Sequence, residues 1–226
     1  MRTRKIVVLP YDAAWKAAFA TIKREIEEAI GDLIIGIEHV GSTSVEGMSA
    51  KPCIDIDVII NDYSSLATVV DGLKSIGYIH EGDLGIKDRE AFKYTEKTHL
   101  MTHHLYVCPK SSEELRRHIG FRDFLKSNPE AVKKYSLIKE KAARLFPNDI
   151  DGYIKYKSPC IEELYQKCGL MWIDWIRLLK TETPVKISLP ELCFYRIPND
   201  FGIVLKSNWY GKISSSENPP LLLVPP

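Results

Sequence analysis

Two aspartates one residue apart, Asp55 and Asp57, have the clearest chemical potential in this chain. They lie in an apolar run, residues 53–60, that predicts a strand. Alternate residues of a strand point to one face, about 6–7 Å apart along the chain. Carboxylate oxygens are the ligands that hard divalent cations prefer, and such cations bridge phosphate oxygens and activate nucleophiles. The Asp-x-Asp strand therefore predicts a site for Mg²⁺ or Mn²⁺.

A glycine-serine turn, Gly41-Ser42, lies upstream of this strand, with twelve residues between Ser42 and Asp55. Its backbone N–H groups and hydroxyl are suited to holding a phosphate. Lys51 follows the turn, where it either neutralises a bound phosphate or remains a solvated surface lysine. Each pattern alone is common by chance. The two patterns together favour phosphoryl or nucleotidyl transfer. The strand that carries the aspartates is apolar on its other face, so unpaired carboxylates there would be costly.

The hydrophobic periodicity predicts an α/β (α+β) fold, with a small mixed sheet, flanking helices and a helical C-terminal portion. Helices are expected at residues 12–30, 63–75, 113–127 and 129–146, with one or two more between 149 and 168. Strands are expected at residues 33–40, 53–60, 78–81 and 103–107. The polar segment 82–98 is expected to form a loop or a hairpin.

Length and composition restrict the class of protein. The 226 residues allow one domain with an appendage or two small domains. The net charge of +1 gives no global field for nucleic acid or membranes, and the apolar runs are too short to cross a bilayer. The five cysteines are scattered, odd in number and without CxxC spacing. This pattern indicates reduced thiols in a cytoplasmic protein, and no zinc site is expected.

Several motifs together resemble the GrpB-like family over about residues 5–168. They are Pro10-Tyr11-Asp12-x-x-Trp15, Ile37-Glu38-His39-Val40-Gly41-Ser42-Thr43-Ser44-Val45, Lys51-Pro52-x-Ile54-Asp55-Ile56-Asp57-Val58, Thr102-His103-His104-Leu105 and His118-x-x-Phe121-Arg122-Asp123. That family looks like a branch of the nucleotidyltransferase superfamily and is sometimes fused to dephospho-CoA kinase. The resemblance implies a nucleotidyltransferase-like domain at residues 1–168. Residues 169–226 are then a C-terminal extension, either partly β or flexible.

The resemblance also implies roles for individual residues. Gly41 and Ser42 match the superfamily's glycine-serine element, and Asp55 and Asp57 match its metal-binding pair. The superfamily usually adds a third acidic residue on a later strand, but residues 103–107 contain no carboxylate. His104 is the candidate replacement as metal ligand or base, with a purely structural hydrogen bond to backbone as an equal alternative.

Three further cations are candidates for binding a triphosphate. Arg89 and Lys93 match a family element in which this chain has Asp88 in place of glycine. A guanidinium group binds phosphate oxygens in pairs, which suits Arg89 to this role. Lys157 is the phosphate candidate in the helical portion.

The predicted function is magnesium-dependent transfer of a nucleotidyl group from a nucleoside triphosphate to a small-molecule acceptor. The alternative is a non-catalytic module that binds a nucleotide or a CoA-like ligand, as the missing third carboxylate suggests. A metal phosphohydrolase would need more His and Asp ligands than this spacing supplies. Nucleic acid and membrane partners are not favoured. The sequence leaves the acceptor, the base preference and the oligomeric state open.

Overall fold

A computed structural model of the chain describes residues 5–169, which form a mixed α/β fold. The five strands are β1 (Gly36–Val40), β2 (Ile54–Ile60), β3 (Tyr78–Gly82), β4 (Glu90–Tyr94) and β5 (His103–Pro109). The five α-helices are α1 (Ala14–Ile30), α2 (Leu66–Ser75), α3 (Glu113–Lys126), α4 (Pro129–Leu145) and α5 (Ile150–Lys167). The predicted class, with a small mixed sheet, flanking helices and a helical C-terminal portion, is confirmed.

The five strands form one sheet in the order β1-β2-β5-β4-β3. Strands β2 and β5 are parallel, and the other neighbours are antiparallel. Strand β2, which carries the two aspartates, is therefore an interior strand with a partner on each side. This position explains why the sequence around it is apolar.

Strand β2 alternates between two environments, as a half-buried strand should. Ile54, Ile56 and Val58 belong to the main hydrophobic core, where they are fully buried with α1 and α2 residues such as Ile22. Burying one such side chain contributes about 1.5–3 kcal/mol to stability. The opposite face is thereby left to Asp55 and the residues around it.

Helices α3 to α5 build the C-terminal portion around a second hydrophobic cluster, which includes Tyr135. The side chain of Ser112 accepts a hydrogen bond from the Leu115 amide at 3.2 Å and so caps α3. Pro129 occupies the first turn of α4, where its missing N–H is of no consequence. Both helices begin where the sequence analysis expects them, at residues 113 and 129.

Three local features differ from the expectation or resolve it. Strand β1 begins at Gly36 because Gly31–Leu33 forms a 3-10 turn. The polar segment forms a hairpin, since β4 pairs antiparallel with β3. Helix α5 continues through Pro159 as a single helix.

None of the helices within residues 5–169 is both long and apolar enough to span a membrane. Apart from Gly169, the predicted C-terminal extension lies outside the described residues.

Candidate functional site

The strand register brings the predicted carboxylates opposite two aromatic side chains. Asp55 pairs with His104, and Asp57 pairs with Tyr106, in the parallel ladder between β2 and β5. Asp55 is partly exposed, whereas Asp57 has no exposed surface. Strand β5, on which a third carboxylate was expected, thus presents the imidazole of His104 and the phenol of Tyr106 beside the two aspartates.

The glycine-serine turn lies directly against Asp55. Gly41 has φ +70°, and a Cβ added there would lie 2.2 Å from Asp55 Oδ2. Ser42–Ser44 forms a short 3-10 turn, in which the Ser44 hydroxyl donates to the Gly41 carbonyl oxygen at 2.6 Å. Position 41 therefore needs glycine for its conformation and for its closeness to the carboxylate.

His104 is hydrogen-bonded to Asp55 through its side chain. The distance from Nδ1 to Oδ1 is 2.9 Å, and Cys53 Sγ lies 3.8 Å from the same nitrogen. The contacts with Asp55 and then Cys53 raise the pKa of His104 to about 10. With this pKa, the His104 side chain is a positively charged imidazolium at neutral pH. The alternative, in which His104 only forms a hydrogen bond to the backbone, does not describe this contact with the Asp55 side chain.

Asp57 forms an ion pair with His118 of α3, with 2.7 Å between Oδ2 and Nδ1. His118 Nε2 also lies 3.2 Å from Glu114 Oε1, so the imidazole is held between two carboxylates. Burial alone would lower the pKa of His118, but its contacts with Asp57 and Glu114 outweigh burial and raise this pKa to about 9. The other Asp57 oxygen, Oδ1, is buried without a hydrogen-bond partner among the described residues.

Lys139 of α4 is a buried lysine outside the set of predicted site residues. Its side-chain nitrogen is buried, has no hydrogen-bond partner in the described part of the chain and lies 4.4 Å from the centre of the Tyr135 ring. Burial and then the nearby charge of Lys157 lower the pKa of Lys139, Asp55 opposes both, and the resulting pKa is about 7. A buried ammonium group of this kind is costly unless an anion neutralises it.

Lys157 of α5 and Lys51 belong to the same electrostatic neighbourhood. Burial lowers the pKa of Lys157, the charge of Lys51 lowers it further, and Asp55 raises it. Asp55 therefore interacts electrostatically with lysines of both α4 and α5. Lys51, in turn, interacts electrostatically with Lys157.

The remaining predicted cations lie on the β4 side of the sheet. The Arg89 guanidinium lies 4.4 Å from the centre of the Tyr106 ring, and its Nε is buried without a hydrogen-bond partner within residues 5–169. Lys93 is exposed and pairs with Glu81 at 3.0 Å. A cavity of about 440 Å³ adjoins this region. Its lining includes Lys51, Cys53, Lys93, His104 and Tyr106.

The strand before the glycine turn is tied to α3. Arg122 pairs with Glu38 and with Asp123, and it donates a hydrogen bond to the His39 carbonyl oxygen at 3.1 Å. The His39 ring stacks on Phe19, with 4.6 Å between the ring centres. These contacts position the turn and leave His39 on the core side of the sheet.

The fold and this face define a class: an α/β domain in which an interior strand places two carboxylates beside a glycine turn and a helical C-terminal portion carries Lys139 and Lys157. Within that class the chain belongs to the GrpB family, described as "GrpB protein", which matches residues 5–167.

Relatives of known sequence and structure agree with this assignment. Glutamate-rich protein GrpB of Alkalihalophilus pseudofirmus is 32% identical over 163 residues, covering 71% of this chain and 94% of the relative. UPF0157 protein YqkA of Bacillus subtilis is 31% identical over 159 residues, which are 70% of this chain. This chain therefore matches only 46% of the length of YqkA. The crystal structure of conserved protein GrpB from Enterococcus faecalis matches at TM-score 0.62 and 28% identity, over 71% of this chain and 98% of that chain.

Sequence reasoning did not assign roles to Cys53, His118 or Lys139. His118 stands in one of the family motifs, but its partner Asp57 is 61 positions away. Cys53 is directly followed by the strand, yet nothing in its spacing indicated that it meets His104. Lys139 was one basic residue among many on amphipathic helices, and only its burial distinguishes it.

Proposed function

We propose that this protein transfers a nucleotidyl group from a nucleoside triphosphate to a small-molecule acceptor with the help of a divalent cation, Mg²⁺ or Mn²⁺. The observation that carries this proposal is the position of Asp55, whose carboxylate lies against the Gly41 turn and interacts electrostatically with Lys139 and Lys157. A carboxylate favours a cation, and two partly desolvated lysines favour an anion. A metal-bound triphosphate is a ligand that satisfies both.

One feature of Asp57 supports a divalent cation in this site. The buried Asp57 Oδ1 has no hydrogen-bond partner among the described residues, so this oxygen is available as a ligand to a cation. Asp55, Asp57 and His104 are the residues that would hold the ion. A bound cation would supply charge neutralisation and orientation for the transferring phosphoryl group.

The phosphate groups are proposed to lie between the helical portion and the glycine turn. Lys139 and Lys157 would hold the β- and γ-phosphates, together with the backbone amides of Gly41 and Ser42. Lys51 lies between the turn and the strand in sequence, and it would neutralise part of the negative charge of the phosphate groups. Preorganised charges in a partly desolvated site stabilise a developing anion more strongly than the same charges do in water.

Two side chains on the β4 and β5 side would complete the site. Arg89 is held over Tyr106 and has spare donors for a phosphate oxygen. His104 keeps a proton against Asp55, so it acts as a base or a ligand only after releasing that proton. Lys93 would contact a ligand only after leaving Glu81, and we assign it the lesser role.

The test is release of pyrophosphate from nucleoside triphosphates labelled at the α-phosphate, with Mg²⁺ or Mn²⁺ and a panel of hydroxyl- and phosphate-bearing small molecules. Label should pass to an acceptor as pyrophosphate appears. Asp55→Asn should reduce this rate at least about 100-fold, as loss of a charge-stabilising group does. Asp71→Asn is the matched control, because Asp71 is exposed on α2. Equal rates for the two variants would contradict the proposal.

The second candidate is a nucleotide- or CoA-like-ligand-binding module without turnover. It is favoured by β5, which presents His104 and Tyr106 where a third carboxylate is expected. It is also favoured by the engagement of Asp57 with His118. Nucleotide binding that depends on Lys139, without pyrophosphate release across the panel, would establish this alternative.

A further inference from the structure

Cys53, Asp55 and His104 bring a sulfur, an oxygen and a nitrogen donor together at the N-terminal ends of β2 and β5. One potential ligand atom from each residue lies within 4.8 Å of the other two. Cys53 Sγ is 3.8 Å from His104 Nδ1, which is 2.9 Å from Asp55 Oδ1. Tetrahedral coordination by bonds of about 2.0–2.3 Å places donors roughly 3.3–3.6 Å apart. The Cys53–His104 and His104–Asp55 separations are therefore within about half an ångström of the spacing that such an ion requires.

We propose that these three residues bind a thiophilic divalent cation of the Zn²⁺ class. Thiolate and imidazole favour zinc and similar metals, whereas Mg²⁺ requires oxygen ligands in near-octahedral geometry. Three protein ligands leave a fourth position for water or substrate, which is the pattern of catalytic zinc sites. Cys53 and His104 both line the cavity of about 440 Å³, so a molecule that enters this cavity would reach two of the three ligands.

This site reverses the sequence-based expectation that no zinc site exists. That expectation depended on short cysteine spacings, whereas Cys53 and His104 are 51 positions apart and meet only through the parallel pairing of β2 with β5. The inference goes beyond the proposed function: it adds Cys53 as a ligand and names a thiophilic ion at Asp55 and His104, where the proposed function has Mg²⁺ or Mn²⁺. It concerns metal choice, however, and does not depend on turnover.

The first experiment titrates metal-stripped, chemically reduced protein with Co²⁺, which reports on zinc-type sites. Because the Cys53 thiol must lose its proton to bind, coordination should produce thiolate-to-cobalt charge-transfer absorption that saturates at one ion per chain. Stoichiometric Zn²⁺ should abolish the absorption, and a large excess of Mg²⁺ should leave it unchanged. A titration without any thiolate band would overturn the inference.

Variants then locate the site. Cys53→Ser should abolish the band and weaken Co²⁺ binding at least about 100-fold, since loss of even an outer partner of a metal ligand costs about 10- to 100-fold. Cys168→Ser, at another partly exposed cysteine, should bind like the wild type. His104→Gln is a second ligand variant at an exposed position, and unchanged circular dichroism would show that it folds. Wild-type binding by both Cys53→Ser and His104→Gln would contradict the assignment.

The pyrophosphate assay distinguishes failure of this inference from failure of the proposed function. A Cys53-dependent cobalt band without pyrophosphate release would support the metal site and count against transfer. Pyrophosphate release with Mg²⁺ but without a cobalt band would count against the metal site and leave the transferase proposal intact.

Discussion

His118 of α3 lies 2.7 Å from Asp57 of β2, measured from Nδ1 to Oδ2, and the Asp57 side chain has no exposed surface. This pair joins the helical portion to the sheet at the Asp-x-Asp strand. Glu114 holds the other nitrogen of the ring. The orientation of one predicted metal ligand thus depends on a residue of another element.

Replacing His118 with Gln should destabilise the protein by about 3 kcal/mol, because breaking a buried ion pair leaves a charge without compensation. Chemical denaturation at pH 7 measures this loss. Arg116→Gln is the matched control on the same helix, since Arg116 forms an exposed pair with Glu113 and should cost less than about 1 kcal/mol. Equal losses for the two variants would contradict the structural role of the buried pair.

The same pair should make stability depend on pH. The folded-state pKa of His118 is about 9, above the ordinary value of 6.5, so its contribution is complete below pH 6.5 and is lost as pH rises through 9. A shift of this size corresponds to about 3 kcal/mol. The free energy of unfolding should fall by about that amount between pH 6.5 and 9.5. In the double variant Asp57→Asn, His118→Gln, the free energy of unfolding should fall distinctly less over this pH range. An identical pH dependence in the wild type and the double variant would contradict the assignment to His118.

The contact of Gly41 with Asp55 can be separated from backbone strain. Gly41 and Gly47 both have positive φ, +70° and +77°, but a Cβ at Gly47 would meet nothing within 4 Å. Gly47→Ala should therefore cost only the conformational penalty, about 1–2 kcal/mol. Gly41→Ala should cost more and should also displace Asp55, lowering pyrophosphate release or metal binding at least about tenfold. Similar behaviour of the two variants would show that the close approach is unimportant.

Lys139 should reduce stability in the absence of a ligand and support binding in its presence. Lys139→Met retains the volume and removes a buried ammonium group, so it should stabilise the protein by about 1–3 kcal/mol in urea denaturation. The same change should weaken binding of a non-hydrolysable triphosphate at least about tenfold in calorimetry. Lys133→Met, at an exposed position of the same helix, should change neither quantity. Loss of stability without loss of binding would contradict a ligand role for Lys139.

The sequence predicted the elements because local patterns determine them. The alternation around Asp55 and Asp57 marked a half-buried strand, and the helices expected from residues 113 and 129 begin at those positions. The β4 strand was predicted only as part of a loop or hairpin. Its five residues, with Glu90 and Lys93 among them, lack a clear alternation of apolar and polar side chains.

The contacts that give the site its chemistry could not be read from the sequence. The pairs Asp57–His118 and Cys53–His104 join residues more than 50 positions apart. They follow from strand order and helix packing, which no local period encodes. The cost of burying Lys139 is likewise visible only once its surroundings are known.

The most direct test of the account is a crystal structure with Mn²⁺ and a non-hydrolysable nucleoside triphosphate, in which anomalous scattering locates the metal. The account predicts a metal ion on Asp55 and phosphates between the Gly41-Ser42 turn and the side chains of Lys139 and Lys157. A nucleotide bound away from Asp55, or a lattice that remains free of nucleotide at saturating concentration, would contradict it.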